Sequence, residues 1–248
     1  MPTPFMHIAL ADRLIADPEL SPTARAVLEQ AWGAFLLGSI APDARVSSGL
    51  ARSQTHFFDY GTLLDMSPAC KLLRAFPRLR YSALSDPAQR AFVAGYAAHL
   101  AMDATWFVEM LPHFSRDWAS ATRRSVLLHA LLGHLDARDR ACLAEGDYSA
   151  LKNAVPRAWL PFISDADLCV WRDLIADQLA PRAPSRTLEI LGSRICMSAA
   201  QLQALLANET EMRLLWQNIP PSLIASVEVA MHASVRQTVN AYFADQLA

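Results

Sequence analysis

Residues 95–107, GYAAHLAMDATWF, place one histidine and one aspartate four positions apart in an otherwise apolar run. In a helix, residues at this spacing project from the same face one turn apart, so His99 and Asp103 would be neighbours. Gly95, one turn earlier on that face, leaves room for another element to approach closely. Because such groups are costly to bury alone, the pair needs partners. Two explanations fit this stretch by itself: a structural His–Asp hydrogen bond, or a metal ion such as zinc.

The composition predicts an all-α fold. The chain has 248 residues, 53% of them apolar and 19% charged, with only 8 glycines. Helical periodicity dominates and no alternating run predicts a β-strand. We expect a multi-helix bundle over residues 1–248, with a core in 1–145 and carboxy-terminal helices in 146–248 that complete it. The prolines near residue 181 leave a carboxy-terminal subdomain open.

Caps and prolines set the expected helix boundaries. The residues from 42 to 66 break the helical period and predict a long loop, and loops of that length inside a compact domain are usually functional or disordered. Helices are predicted over 6–16, 23–41, 115–143, 165–180 and 186–218 (the last as one helix or a pair), with two more that begin at Pro87 and Pro221.

Several classes of function are disfavoured. Basic residues number 22 and acidic residues 24, with no basic block, so the sequence carries no nucleic-acid footprint. The four cysteines match no zinc or redox spacing; they are Cys70, Cys142, Cys169 and Cys196.

The sequence also predicts a cytoplasmic location. The first twenty residues show no secretory signal. The apolar run over 91–111 carries an ionisable pair at its centre, which favours a buried helix of a soluble bundle over a transmembrane span.

Three more fragments supply partners for the pair in residues 95–107. His7 lies on the apolar face of the first predicted helix, in MHIALA. Asp43 follows Pro42 where the second predicted helix ends, in LLGSIAPDAR. His56 lies among aromatic residues of the long loop, in THFFDYG.

Together these fragments resemble the zinc-dependent phospholipase C family, all-helical bacterial phosphodiesterases related to the fungal single-strand nucleases. The resemblance covers residues 1 to about 110. The matching elements are, in order, His7, Pro42-Asp43, Thr55-His56-Phe57 and Gly95-Tyr96-x-x-His99-x-x-x-Asp103.

The resemblance implies a metal site in a cleft between helices. The metal ligands it implies are His7, Asp43, His56, His99 and Asp103. It further implies that Asp103 is able to bridge two ions and that Asp43 is the candidate for the general base. Metal-activated water would then attack phosphorus in a small-molecule or lipid phosphodiester.

Two departures from the family pattern reduce the expected metal content to one or two zinc ions. Secreted members begin at a tryptophan whose amine and carbonyl bind metal, whereas six residues precede His7 here. The family's second helix pair, a histidine followed four residues later by glutamate, is missing, because the residue four positions after His129 is Gly133. The motif does not assign His113 or His129, which stay open as further ligands. A helical metal-binding or scaffold protein that kept the fold and lost the reaction is therefore the alternative function.

Two other metal-dependent classes fail on spacing. A His-Asp doublet phosphohydrolase needs a histidine followed directly by aspartate, and no histidine here is. A ferritin-like di-iron bundle needs Glu-x-x-His pairs, and the Glu109–His113 spacing is one residue too long.

The residues near the proposed ligands leave the substrate open. Arg45 and Arg52 either face a phosphate or are solvated, and the oligomeric state is not indicated. The aromatic residues that either line a pocket or belong to the core are Phe57, Phe58, Tyr60, Trp106 and Phe107.

Overall fold

The chain is all-α, as predicted. The structure, a computed structural model, describes residues 1–61, 64–144, 146–180 and 183–247, and these ranges contain no β-strand. None of the helices in them is both long and apolar enough to cross a bilayer. The α-helices are α1 (Pro4–Ile15), α2 (Pro22–Gln30), α3 (Trp32–Ile40), α4 (Arg45–Ser48), α5 (Arg52–His56), α6 (Pro68–Ala75), α7 (Pro87–Glu109), α8 (Leu111–Ser115), α9 (Ala121–Leu143), α10 (Ser149–Lys152), α11 (Asp165–Leu179), α12 (Thr187–Ser193), α13 (Ala199–Leu206), α14 (Glu209–Asn218) and α15 (Pro221–Phe243). Short 3₁₀ helices span Ala41–Ala44, Pro77–Leu79 and Tyr81–Ala83.

Helix α7 lies at the centre of the bundle and contacts α3 and α15. Its crossing with α3 is a backbone contact: a Cβ on Gly95 would lie 2.2 Å from the carbonyl oxygen of Phe35, and one on Gly38 would lie 2.0 Å from that of Phe92. Neither position has room for a side chain, so the close approach expected at Gly95 is confirmed. The crossing brings the end of α3 against the histidine of α7.

The carboxy-terminal helices pack onto this core. Helix α11 lies against the 3₁₀ helix Ala41–Ala44, and the indole N–H of Trp171 donates to the carbonyl oxygen of Ile40 at 2.8 Å. Helices α12, α13 and α14 contact α9. The Tyr242 hydroxyl of α15 donates to the carbonyl oxygen of Leu79 at 3.2 Å.

Some predicted boundaries were wrong. The expected helix over 23–41 is interrupted at Ala31, whose φ of −128° and ψ of 43° leave the helical region. The region 42–66 carries a 3₁₀ helix, α4 and α5 instead of a plain loop, and residues 62–63 of it lie outside the described residues.

Two further predicted helices are divided by capping residues. The stretch 115–143 begins within α8 and restarts at α9, where the Ser120 hydroxyl caps the Arg123 amide. The stretch 186–218 holds three helices, because Ser198 and Asn208 cap new ones within it. The Ser21 hydroxyl accepts from the Ala24 amide and caps α2, and the Ser164 hydroxyl accepts from the Asp167 amide and caps α11.

Candidate metal centre

The α7 pair faces the interior of the bundle. The side chains of His99 and Asp103 are 0% and 1% exposed, and His99 Nε2 lies 3.7 Å from Asp103 Oδ2. His99 Nδ1 lies 2.8 Å from the carbonyl oxygen of Ser39, at the end of α3. A carbonyl only accepts, so Nδ1 carries the proton and the lone pair of Nε2 points toward Asp103.

Helix α1 adds His7 to this pair. Its ring stacks on that of His99, with centroids 3.8 Å apart and an interplanar angle of 9°. His7 Nε2 lies 3.5 Å from Asp103 Oδ1, and neither atom has a hydrogen-bond partner among the described residues. Burial and the neighbouring His99 lower the pKa of His7 to about 4. At neutral pH the imidazole is therefore uncharged, which is the form that binds metal.

The segment after α3 contributes His56 and Asp43. His56 Nε2 lies 3.5 Å from Asp43 Oδ1 and 3.4 Å from Asp103 Oδ2. The segment is tied to α7 because the Tyr96 hydroxyl donates to the carbonyl oxygen of Thr55 at 2.5 Å. Burial opposes ionisation of Asp43, but the neighbouring imidazoles of His56 and His99 outweigh it and lower the Asp43 pKa.

Side chains and carbonyls beside the histidines set the tautomers. The Thr55 hydroxyl donates to the carbonyl oxygen of Arg52, so its lone pairs are free to accept from His56 Nδ1, 2.9 Å away. With Nδ1 protonated on both His56 and His99, their two Nε2 lone pairs face each other across 3.3 Å. Two facing lone pairs repel each other unless a cation lies near them.

The donor set therefore fits a metal. The ligand atoms of His7, His99 and Asp103 lie within 4.8 Å of one another. Those of Asp43, His56 and His99 form a second such group, and His99 belongs to both. Imidazole nitrogens and carboxylate oxygens are zinc ligands, and a partner on the other nitrogen of a histidine is usual at such sites. All five predicted site residues thus converge in one place.

The sequence left the role of Arg52 open, and the structure brings this side chain to the cluster. Its Nη2 donates to Asp103 Oδ2 at 2.8 Å. Its guanidinium carbon lies 4.9 Å from the ring centre of Phe58 and 4.8 Å from that of Tyr60. Burial would raise the pKa of Asp103, but the neighbouring imidazoles of His99 and His7 and the guanidinium of Arg52 hold it well below the usual range.

The aromatic residues divide between the pocket and the core. Trp106 is fully buried, and Phe57 packs against Phe76 and Phe162. Tyr60 and Phe107 line a cavity of about 680 Å³ beside the cluster, and Asp43 and Arg52 line it as well.

The two unassigned histidines lie outside both groups of potential ligands among the described residues. His129 borders the cavity, and its Nδ1 is bonded to the carbonyl oxygen of Ser125 at 2.8 Å. His113 belongs to the short helix α8.

The all-helical chain thus carries a buried His–Asp cluster, a candidate metal centre, beside a cavity. The family described as zinc dependent phospholipase C matches residues 6–138, more than half of the chain, and the chain belongs to that family. All five residues of the cluster lie within the match. No curated protein and no solved structure shows a significant match to the chain.

Proposed function

We propose that this protein hydrolyses phosphodiester bonds in a zinc-dependent reaction and acts as a single all-helical domain. The residues proposed to hold one or two zinc ions are His7, Asp43, His56, His99 and Asp103. The observation that carries the proposal is the pair of overlapping donor groups with buried, unpartnered ligand atoms. Membership of the zinc-dependent phospholipase C family supports zinc as the metal and a phosphodiester as the substrate.

Bound zinc supplies the acidity that ionises a coordinated water near neutral pH and polarises a phosphoryl oxygen. Asp43 is the proposed general base. Its side chain is 19% exposed and borders the cavity, so its carboxylate is placed where it can accept the proton of the attacking water.

Arg52 is the proposed group for the phosphoryl charge. Arg52 lines the cavity, and its guanidinium is held by Asp103 and by two aromatic faces. A guanidinium held in this way is well suited to bind a phosphate oxygen. The carbonyl oxygen of Ser39 and the Thr55 hydroxyl orient the imidazoles of His99 and His56.

Metal analysis tests the site. Protein purified without chelator is expected to hold one or two zinc ions per chain, and His99→Ala to lose them. The matched control is His134→Ala, because this histidine is exposed on α9 and its ring contacts only Trp216 among aromatic neighbours. A parent protein that binds no zinc would contradict the proposal.

Turnover tests the reaction. The zinc-loaded protein is expected to hydrolyse bis(p-nitrophenyl) phosphate, and Asp43→Asn to lose most of that activity. Stoichiometric zinc without turnover of this ester or of a phosphatidylcholine analogue would instead support the metal-binding scaffold. Hydrolysis of the first substrate alone would argue against a lipid phosphodiester.

A further inference from the structure

The cavity extends from the metal cluster to helices beyond the family match. Asp43 and Arg52 line it, and so do residues of α9, α11 and α12. Its volume of about 680 Å³ lies in the range of sites that enclose one small ligand. The last two of these helices follow residue 138, where the family match ends. Any substrate selectivity that α11 and α12 impose is therefore not described by the family match.

The wall formed by these helices is apolar. Its large apolar residues are Leu128, Leu132, Trp171, Ile175, Ile190 and Leu191. The Gln178 amide of this wall is bonded within the protein: it donates to the carbonyl oxygen of Leu174 at 2.7 Å and accepts from the Arg186 amide at 2.7 Å. The indole N–H of Trp171 likewise donates to the carbonyl oxygen of Ile40. This wall therefore offers a ligand hydrocarbon contacts.

The cavity lining carries cationic side chains. Arg45, two residues after Asp43, lines the cavity, and so does Arg52. Arg194 of the α12 carboxy terminus also lines the cavity. The faces of Phe58 and Tyr60 already bind the guanidinium of Arg52, so they are not free for a quaternary ammonium group. Among the described residues the lining carries three arginines against two carboxylates, Asp43 and Asp59, and this balance favours an anionic group.

We infer that the cavity accepts a phosphate ester with one hydrocarbon chain, whose anionic phosphate binds beside Asp43, Arg45 and Arg52 and whose chain lies against α11 and α12. This inference rests on the proposed function and narrows its substrate class to single-chain anionic amphiphiles. Ile190 on α12 sets the length of chain that fits.

A chain-length series tests the inference. The substrates are p-nitrophenyl alkyl phosphodiesters from methyl to dodecyl, kept below the concentrations at which they form micelles. Each buried methylene is worth a fixed gain in transfer free energy, so kcat/KM is expected to rise about fourfold per methylene and then to level off when the cavity is full. Ile190→Trp is expected to move the plateau to shorter chains.

The matched control is Val170→Trp, which adds the same side chain to α11 at a position that is 59% exposed and outside the cavity lining. It is expected to leave the plateau where it is. An Ile190→Trp plateau equal to that of Val170→Trp would overturn the role of Ile190.

Binding gives a readout that needs no turnover. Calorimetry with the metal-free protein compares methyl phosphate, dodecyl phosphate and dodecyltrimethylammonium. Dodecyl phosphate is expected to bind most tightly. Equal binding of the two phosphates, or tighter binding of the ammonium compound, overturns the inference.

The two proposals fail in different ways. Turnover of the methyl ester with no chain-length effect overturns the cavity inference and leaves the hydrolase intact. If no ester is hydrolysed, the proposed function is overturned, and the calorimetric series alone then decides whether the cavity takes an anionic hydrocarbon chain.

Discussion

The chain buries a carboxylate at two places on its long helices, and the two groups behave in opposite ways. Asp103 of α7 is 1% exposed and Asp136 of α9 is 2% exposed. Histidines and Arg52 surround the first and lower its pKa well below the usual range. Burial raises the pKa of the second to about 6, which the Thr3 and Thr187 hydroxyls offset only in part.

Asp136 is as deeply buried as Asp103 but lies in a different chemical environment. Asp136 also has an oxygen without a hydrogen-bond partner, but its neighbours are hydroxyls at the beginnings of α1 and α12, and no histidine joins it among the described groups of potential metal ligands. Burial among such neighbours favours the neutral acid, which predominates below the Asp136 pKa of about 6. A candidate metal site is recognised by several unpartnered donors that face one another, and not by a buried acid alone.

The largest expected effect is the loss of zinc affinity when the negative charge of Asp103 is removed. Asp103→Asn keeps the size of the side chain but removes the carboxylate shared by three histidines and Arg52. Zinc affinity is expected to fall by about a thousandfold or more, because several kcal/mol of ligand interaction is lost. A zinc titration against a competing chelator measures this.

The control is Asp136→Asn, which is expected to bind zinc like the parent protein. Parent-like zinc affinity in Asp103→Asn would remove the distinction between the two carboxylates.

The next largest effect is on the free energy of unfolding and comes from Asp136. The pKa of Asp136 is about 6 in the folded protein, against 3.8 for an unperturbed aspartate, so the native state binds more protons between these values. The stabilisation is complete below about pH 4 and is lost as the pH rises through about 6; it amounts to about 3 kcal/mol. Asp136→Asn is expected to lack this decline when the free energy of unfolding is measured by denaturant titration from pH 4 to 7.5.

The matched control is Asp117→Asn, at an exposed position, which should retain the decline of the parent. If parent and Asp136→Asn lose stability in parallel, Asp136 is not the neutral acid described above.

The smallest effect comes from the residue that orients His56. Thr55→Val removes the hydroxyl 2.9 Å from His56 Nδ1 and keeps the shape of the side chain. Loss of such a partner typically lowers metal affinity about 10- to 100-fold. Thr105→Val, which removes a hydroxyl bonded to its own helix at Ala101, serves as control in the same chelator titration. Equal zinc affinity in the two variants would show that the Thr55 hydroxyl does not orient the ligand.

The sequence was informative where spacing along a helix decides geometry. His99 and Asp103 had to share a face of any helix that contained them, and their apolar surroundings predicted burial. His7, Asp43 and His56 were named from a resemblance in order and type, and the structure brings all five together. Their role as metal ligands stays a prediction.

The rest of the site depends on contacts between distant segments. Ser39 orients His99 through a backbone carbonyl, and every residue has one, so no sequence signal marks it. Arg52 shares its loop with two proposed ligands, but only the folded loop brings its guanidinium to Asp103. The break at Ala31 was missed because alanine is an ordinary helix residue, and its conformation there is set by tertiary packing.

The backbone contact between α3 and α7 also has a consequence in time. The ligands come from distant parts of the chain, and the Ser39–His99 bond forms only when Gly38 and Gly95 allow the helices to meet. We therefore expect the ligands to come together late in folding, after α3 and α7 have packed, and without help from the metal. We expect zinc to leave the refolding rate unchanged and to slow unfolding, because the ion stabilises contacts that form only after the core has packed.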